Sequence, residues 1–292
     1  MLPACHRLLL QVFLLALCLT VATHLQANAF RNSVVTLSTG ATATLVLPVD
    51  NAELRGLIVL IHGWSGSPDE VGDLFKRQAH KLAEQGFASI RMGIRGESER
   101  AASGYRLDST FLSRVADAKA GVDWITERHP GLPIGLLGFS YGGATALELV
   151  SQAPLKYDSV VLWSTTINPN DILLDPRRAV AFREAIENGE GFYDDWTRLT
   201  LTRAHVIGMI GFDPMRGLKD FKGAILSLHG SLDYLPLHGP EIIQTAGGER
   251  AEYRVIKGAD HIFNAFDSDK SFGERILNMS ARWFDSTLSP TP

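Results

Sequence analysis

The chain has 292 residues, of which 45% are hydrophobic and 21% charged, with two cysteines and a formal net charge of −4. This suits one large α/β domain or two small ones and excludes a disordered, collagen-like or disulfide-dense chain. No block of like charges stands out, which argues against a nucleic-acid partner.

The N-terminus reads as a targeting segment. His6 and Arg7 precede an apolar run, Leu8–Leu19, interrupted by Gln11, and Ala27-Asn28-Ala29 stands ahead of Phe30. A positive start, a short apolar core and small residues at −3 and −1 predict a secretory signal over residues 1–29. The run falls short of the ~20 residues a membrane span needs. The alternative is an uncleaved N-terminal anchor. Cleavage after Ala29 removes both Cys5 and Cys18, so the mature chain, residues 30–292, depends on its core alone. It is expected to be periplasmic or secreted, with no stable membrane insertion.

In chain order, Val34–Leu37 and Thr42–Leu47 are β-rich and read as a hairpin. Leu57–Ile61 is a continuous apolar run after Gly56, the mark of a strand buried on both faces. Apolar spacing predicts a helix over Asp69–Gln85, stopped by Gly86. A strand at Phe87–Met92 precedes a helix at Thr110–Arg128, with Phe111, Val115, Ala118, Val122 and Ile125 on one face. Then come strand Ile134–Leu137, helix Tyr141–Ser151 and strand Ser159–Trp163. The alternation implies a mostly parallel sheet with helices on both faces.

The pattern breaks at about 164–221, which reads as a helical lid inserted over one end of the sheet. Asp175-Pro176 looks like a cap with proline at the first helical position, followed by Ala179, Phe182, Ala185 and Ile186 on one helix face. A weaker helical stretch is expected near Trp196–Met209. The sheet pattern resumes with Ala224–Leu228, a helix near Pro240–Thr245, strand Glu252–Ile256 and a last helix over Ser271–Thr287.

Gly138-Phe139-Ser140-Tyr141-Gly142-Gly143 fits G-x-S-x-G between a strand and a helix. A sharp turn there strains the backbone of Ser140, and neighbouring Cβ atoms would clash with it. Ser140 is thus the candidate nucleophile. His261 follows the last strand on the same sheet edge and is the candidate general base. His62 more plausibly braces its own loop, and His229 and His238 are weaker candidates flanking Asp233. Asp233, just past strand Ala224–Leu228, is the candidate carboxylate that orients His261. Asp260 competes, but adjacent side chains rarely meet in the required geometry. The N–H of Tyr141 and that of Trp64, in the loop after Ile61, are the expected oxyanion donors. Phe192, Tyr193, Trp196, Met209 and Phe212 are candidate pocket residues, with packing of the insertion as their other role. No metal-binding spacing and no dinucleotide fingerprint is present.

Four segments, HGWSG, GFSYGG, HGSLDYLP and GADHIF, carry a resemblance to the α/β-hydrolase superfamily from Val34 to Phe284. They look most like serine esterases of the cinnamoyl-esterase type, and also like catalytic domains of the prolyl-oligopeptidase group. The resemblance implies an α/β-hydrolase fold, a small-molecule ester substrate, a Ser-His-Asp triad, an acyl-enzyme and no cofactor. A small peptidase or aminoacyl hydrolase, or an acyltransferase, is the alternative. Arg95-Gly96-Glu97-Ser98 resembles a turn of the same group and is read as a structural loop near the site.

Overall fold

The computed structural model describes residues 30–49, 53–97, 100–101 and 104–288. The expected signal at 1–29 lies outside them. Among the described residues no helix is long and apolar enough to cross a membrane.

The main sheet has eight strands: β1 (Phe30–Thr36), β2 (Thr42–Pro48), β3 (Gly56–Ile61), β4 (Phe87–Met92), β7 (Ile134–Phe139), β8 (Ser159–Trp163), β11 (Ala224–Gly230) and β12 (Ala251–Ile256). Their order is β1-β2-β4-β3-β7-β8-β11-β12. The pairs β1–β2 and β2–β4 are antiparallel, and every pair from β4 to β12 is parallel.

Side-chain alternation along β3 shows why the run is apolar throughout. Leu57, Val59 and Ile61 enter one core, and Ile58 and Leu60 enter the other. The first core is closed by α2 (Phe111–Arg128) and α3 (Tyr141–Gln152). The second is closed by α1 (Leu74–Glu84) and α7 (Ser271–Thr287). Thr110 caps α2, its side chain accepting from Ser113 N–H, with the reciprocal bond from Thr110 N–H also formed. A short helix, α6 (Gly239–Thr245), joins β11 to β12.

Two elements differ from the sequence reading. Helix α1 starts at Leu74 rather than Asp69, because Gly72 and Asp73 both have positive φ, 53° and 62°, which a right-handed helix cannot include. The stretch from Trp196 to Met209 is not one helix. Leu199 and Leu201 are buried on alternate positions of a strand, β10 (Arg198–Thr202), and only α5 (Arg203–Ile207) is helical. Period-two burial and β-branched Thr200 and Thr202 favour the strand.

The inserted segment is therefore mixed rather than helical. Pro176–Arg178 forms a 3₁₀ turn capped by Asp175, which leads into α4 (Ala179–Asn188). Strand β9 (Glu190–Asp194) pairs antiparallel with β10. Strand β10 also pairs in parallel with β6 (Gly104–Leu107), a strand far earlier in the chain that pairs with β5 (Arg100–Ala101). The second sheet has the order β5-β6-β10-β9 and ties the insertion to the loop after β4.

Candidate active site

Strand β7 runs straight into α3 through Ser140, whose backbone sits at φ 51°, ψ −118°. That conformation is sparsely populated for a residue with a Cβ. The turn closes only because its flanks are bare. A Cβ on Gly142 would lie 2.0 Å from the Ile61 carbonyl oxygen, and one on Gly138 would lie 2.5 Å from that of Gly142.

Ser140, His261 and Asp233 come together from three strand ends. Ser140 Oγ lies 3.1 Å from His261 Nε2, and His261 Nδ1 lies 2.8 Å from Asp233 Oδ1. A carboxylate only accepts, so Nδ1 carries the proton and Nε2 faces the hydroxyl as an acceptor. Phe139 and Tyr234 rings lie against the imidazole, at 5.2 and 4.6 Å between centroids. Burial pushes the Asp233 carboxyl up, but the His261 hydrogen bond and charge and the Leu235 N–H outweigh it and hold it below its usual value. Asp260 is engaged elsewhere: its Oδ1 accepts from Ile262 and Asn264 N–H and knits its own turn.

His229 stands behind the carboxylate, its Nδ1 3.8 Å from Asp233 Oδ2. Burial lowers it to about 4, so it is neutral at pH 7. His62 is also neutral, lowered to about 4 by burial and by Arg114, and its Nδ1 donates to Gly63 O at 2.8 Å. It braces its loop, in agreement with the sequence reading.

Beneath that loop lies a network that the sequence did not reveal. Arg114, fully buried on α2, pairs with the buried Glu97 and donates to the His62 carbonyl. Its Nε donates to Thr145 on α3 at 3.1 Å, and its guanidinium lies 4.5 Å from the Tyr141 ring centroid. Glu97 also accepts from Ser65 N–H at 3.3 Å and from the Ser109 hydroxyl. Burial raises the Glu97 carboxyl, yet Arg114 foremost, with the Ser109 hydroxyl, holds it low and ionised. Trp64 Nε1 donates to His205 Nε2 at 2.7 Å. Indole only donates, so His205 is the Nδ1–H tautomer and donates to Ser109 O at 2.6 Å. The turn 95–97 is thus structural, as expected, and its glutamate is the anchor. The available signal was Arg114 itself, three residues after Phe111 on the apolar face of α2.

A cavity of about 640 Å³ opens over Ser140 and His261, a size typical of small-molecule sites. Trp64, Phe139 and Tyr234 line it from the sheet side; Ile172, Arg178, Asp195 and Trp196 line it from the insertion. Of the five aromatic and methionine candidates, Trp196 is a lining residue. The other four fall elsewhere. Met209 is fully buried in the core, Phe212 packs on Phe111 at 4.8 Å, Tyr193 lies under Arg178, and Phe192 is half-exposed beneath Arg198. These four fasten the insertion to the body or to itself. Glu70 also lines the cavity, between the Ser67 N–H and the 62–66 turn. Burial pushes it up to about 8, against Arg114 and the Ser67 and Gly63 N–H groups, so it is protonated at neutral pH. Among the described residues no group of three His, Cys, Asp or Glu side chains is placed to hold a metal ion.

Residues 52–187, just under half of the chain, match the family described as serine aminopeptidase, S33. A monoacylglycerol lipase from Mycolicibacterium smegmatis is 28% identical over 118 residues. The matched stretch spans 40% of this chain and 40% of that protein, well short of the relative's full length. Among solved structures, the ferulic acid complex of Est1E from Butyrivibrio proteoclasticus superposes with a TM-score of 0.69 at 17% identity, covering 87% of this chain and 98% of that one. Pyrococcus horikoshii acylaminoacyl peptidase superposes with a TM-score of 0.66 at 13% identity, covering 95% of this chain and 44% of that one. At such identities the structures establish the fold alone. The chain has the α/β-hydrolase fold.

Proposed function

We propose that the protein is a serine hydrolase that cleaves carboxylic esters of small molecules. The observation that carries this reading is the continuous chain of contacts from Ser140 Oγ through His261 to Asp233, opening into one cavity.

Ser140 attacks the acyl carbonyl while His261 Nε2 takes its proton. Asp233 holds the imidazole in the required tautomer and stabilises the imidazolium. The N–H groups of Tyr141 and Trp64 receive the oxyanion. Tyr141 opens α3, where the first N–H groups lack partners within the helix. The alcohol leaves with the proton from His261, and water then resolves the acyl-enzyme by the same roles in reverse. No step needs a cofactor.

An aminopeptidase would have to seat a cationic terminus. The cavity offers Asp195 for that, but Glu70 is protonated at neutral pH, and Arg177 and Arg178 oppose a cation. The wall therefore favours ester over peptide substrates. Export through residues 1–29 belongs to the same proposal, and the mature N-terminus of protein from producing cells tests it.

The first experiment is hydrolysis of p-nitrophenyl esters of graded acyl length by the wild type and Ser140→Ala. The proposal expects activity in the wild type and a fall of about 10³-fold or more in the variant. Equal rates in both proteins would remove Ser140 from the mechanism.

A further inference from the structure

The wall of the cavity contributed by the insertion holds a buried guanidinium that is only partly bonded. Arg178 is only 5% exposed. It is one of the residues that line the cavity with Ser140 and His261. Its Nε is buried without a hydrogen-bond partner, Nη1 reaches the Ile172 carbonyl only at 3.4 Å, and the group also hydrogen-bonds the Tyr234 side chain on the cavity wall. The nearest carboxylate oxygens, on Asp175 and Asp195, are 3.7 and 3.8 Å away, beyond good hydrogen-bond length. Asp175 is already taken: Arg177 binds both its oxygens, at 2.7 to 3.1 Å.

Burying a charge is costly unless it is paired and hydrogen-bonded. A fork of five donors with one long bond to Ile172 and one to Tyr234 is not a fully satisfied structural pin. Its carbon nevertheless has aromatic neighbours, 4.8 Å from the Trp64 ring centroid and 5.6 Å from that of Tyr193. Aromatic contacts of this kind hold the guanidinium in place without using up its N–H groups. That geometry matches a planar carboxylate held by two parallel bonds. The position matters as well, because Trp64 belongs to the turn assigned to the oxyanion.

Resting on the ester-hydrolase reading, we propose that Arg178 selects substrates that carry a carboxylate besides the scissile ester, such as half-esters of dicarboxylic acids. The free acid end docks on Arg178 and directs the ester carbonyl to Ser140. Glu70 on the same cavity does not compete for the guanidinium while it holds its proton.

The test compares monomethyl adipate with methyl hexanoate, and monomethyl suberate with methyl octanoate, at neutral pH. Each pair matches in acyl length and differs in one terminal carboxylate. The wild type is expected to favour one of the half-esters by about tenfold or more in kcat/KM. Arg178→Met is expected to erase that preference while the neutral esters change less than about threefold, and Arg178→Lys to keep part of it. Preference for the neutral partner in the wild type overturns the proposal. So does an equal loss on both members of a pair in Arg178→Met, the signature of a residue that only packs.

A binding measurement stands apart from turnover. Adipate is expected to bind the wild type by calorimetry, and adipamide, its uncharged diamide, to bind at least about tenfold more weakly. Equal affinity for the two overturns the role of Arg178 even if neutral esters are cleaved. Inactivity toward every ester with retained adipate selectivity would instead overturn the ester-hydrolase reading and leave the anion site standing.

Discussion

Two buried arginines flank the same turn and are treated in opposite ways. Arg114 lies under it with bonds to Glu97, to the His62 carbonyl and to Thr145. Arg178 lies over it, against Trp64, with a long bond to Ile172, a bond to Tyr234 and an unpartnered Nε. A satisfied guanidinium ties together the loop after β3, the 95–97 turn and the head of α3. An unsatisfied one adds little to the fold and is available to something else. Burial alone does not separate these roles; the list of partners does.

The largest effect expected on this contrast is chemical. Ser140→Ala should lower kcat/KM by about 10³-fold or more, while each arginine variant leaves the Ser140–His261–Asp233 contacts formed. The next is on stability. Arg114→Met strands an ionised Glu97 in the core and should cost about 3–5 kcal/mol, read from urea melts. The double variant Arg114→Met/Glu97→Gln should recover part of that, because the stranded charge is gone. Full loss persisting in the double variant would mean that the network counts for its shape and not its charge.

Arg178→Met should change stability by less than about 1 kcal/mol in the same melts. A cost equal to that of Arg114→Met would collapse the distinction between the two sites. A separate effect, read against pH, concerns Glu70. Its folded pKa of about 8 stands above the usual 4.5, so between those values the folded state binds the extra proton. Stability from this group is present at low pH and lost as pH rises to about 8. Glu70→Gln has no such loss. The melting temperature of the wild type relative to this variant should fall by about ten degrees between pH 5 and pH 9. A flat difference would show that Glu70 ionises normally.

The main sheet was legible because each buried strand is one apolar run and each crossover helix repeats at helical spacing. The three central side chains were legible for the same reason, since Ser140, Asp233 and His261 each stand just past a strand on one edge. The second sheet was not. Its strands β6 and β10 are short and separated by some ninety residues of chain, so neither run announces its partner. Arg114 and Glu97 are ordinary charged residues until the fold brings them together. Four of the five pocket candidates in the insertion were aromatic or apolar for packing, a use that composition does not distinguish from binding.

The second sheet also decides how substrate reaches Ser140. The inserted segment is held by main-chain bonds between β10 and β6, by the indole of Trp64 on His205, by Phe111 N–H on the Gly208 carbonyl and by Gly217 N–H on the Ser151 hydroxyl. Swinging it aside as a flap would break all four attachments at once. The roof is bolted down, so substrate is expected to enter past the solvent-exposed part of the lining, to which Trp196 and Phe266 belong. Turnover of dissolved substrate should accordingly begin at full speed on mixing, with no lag and no need for a droplet surface to prise the site open.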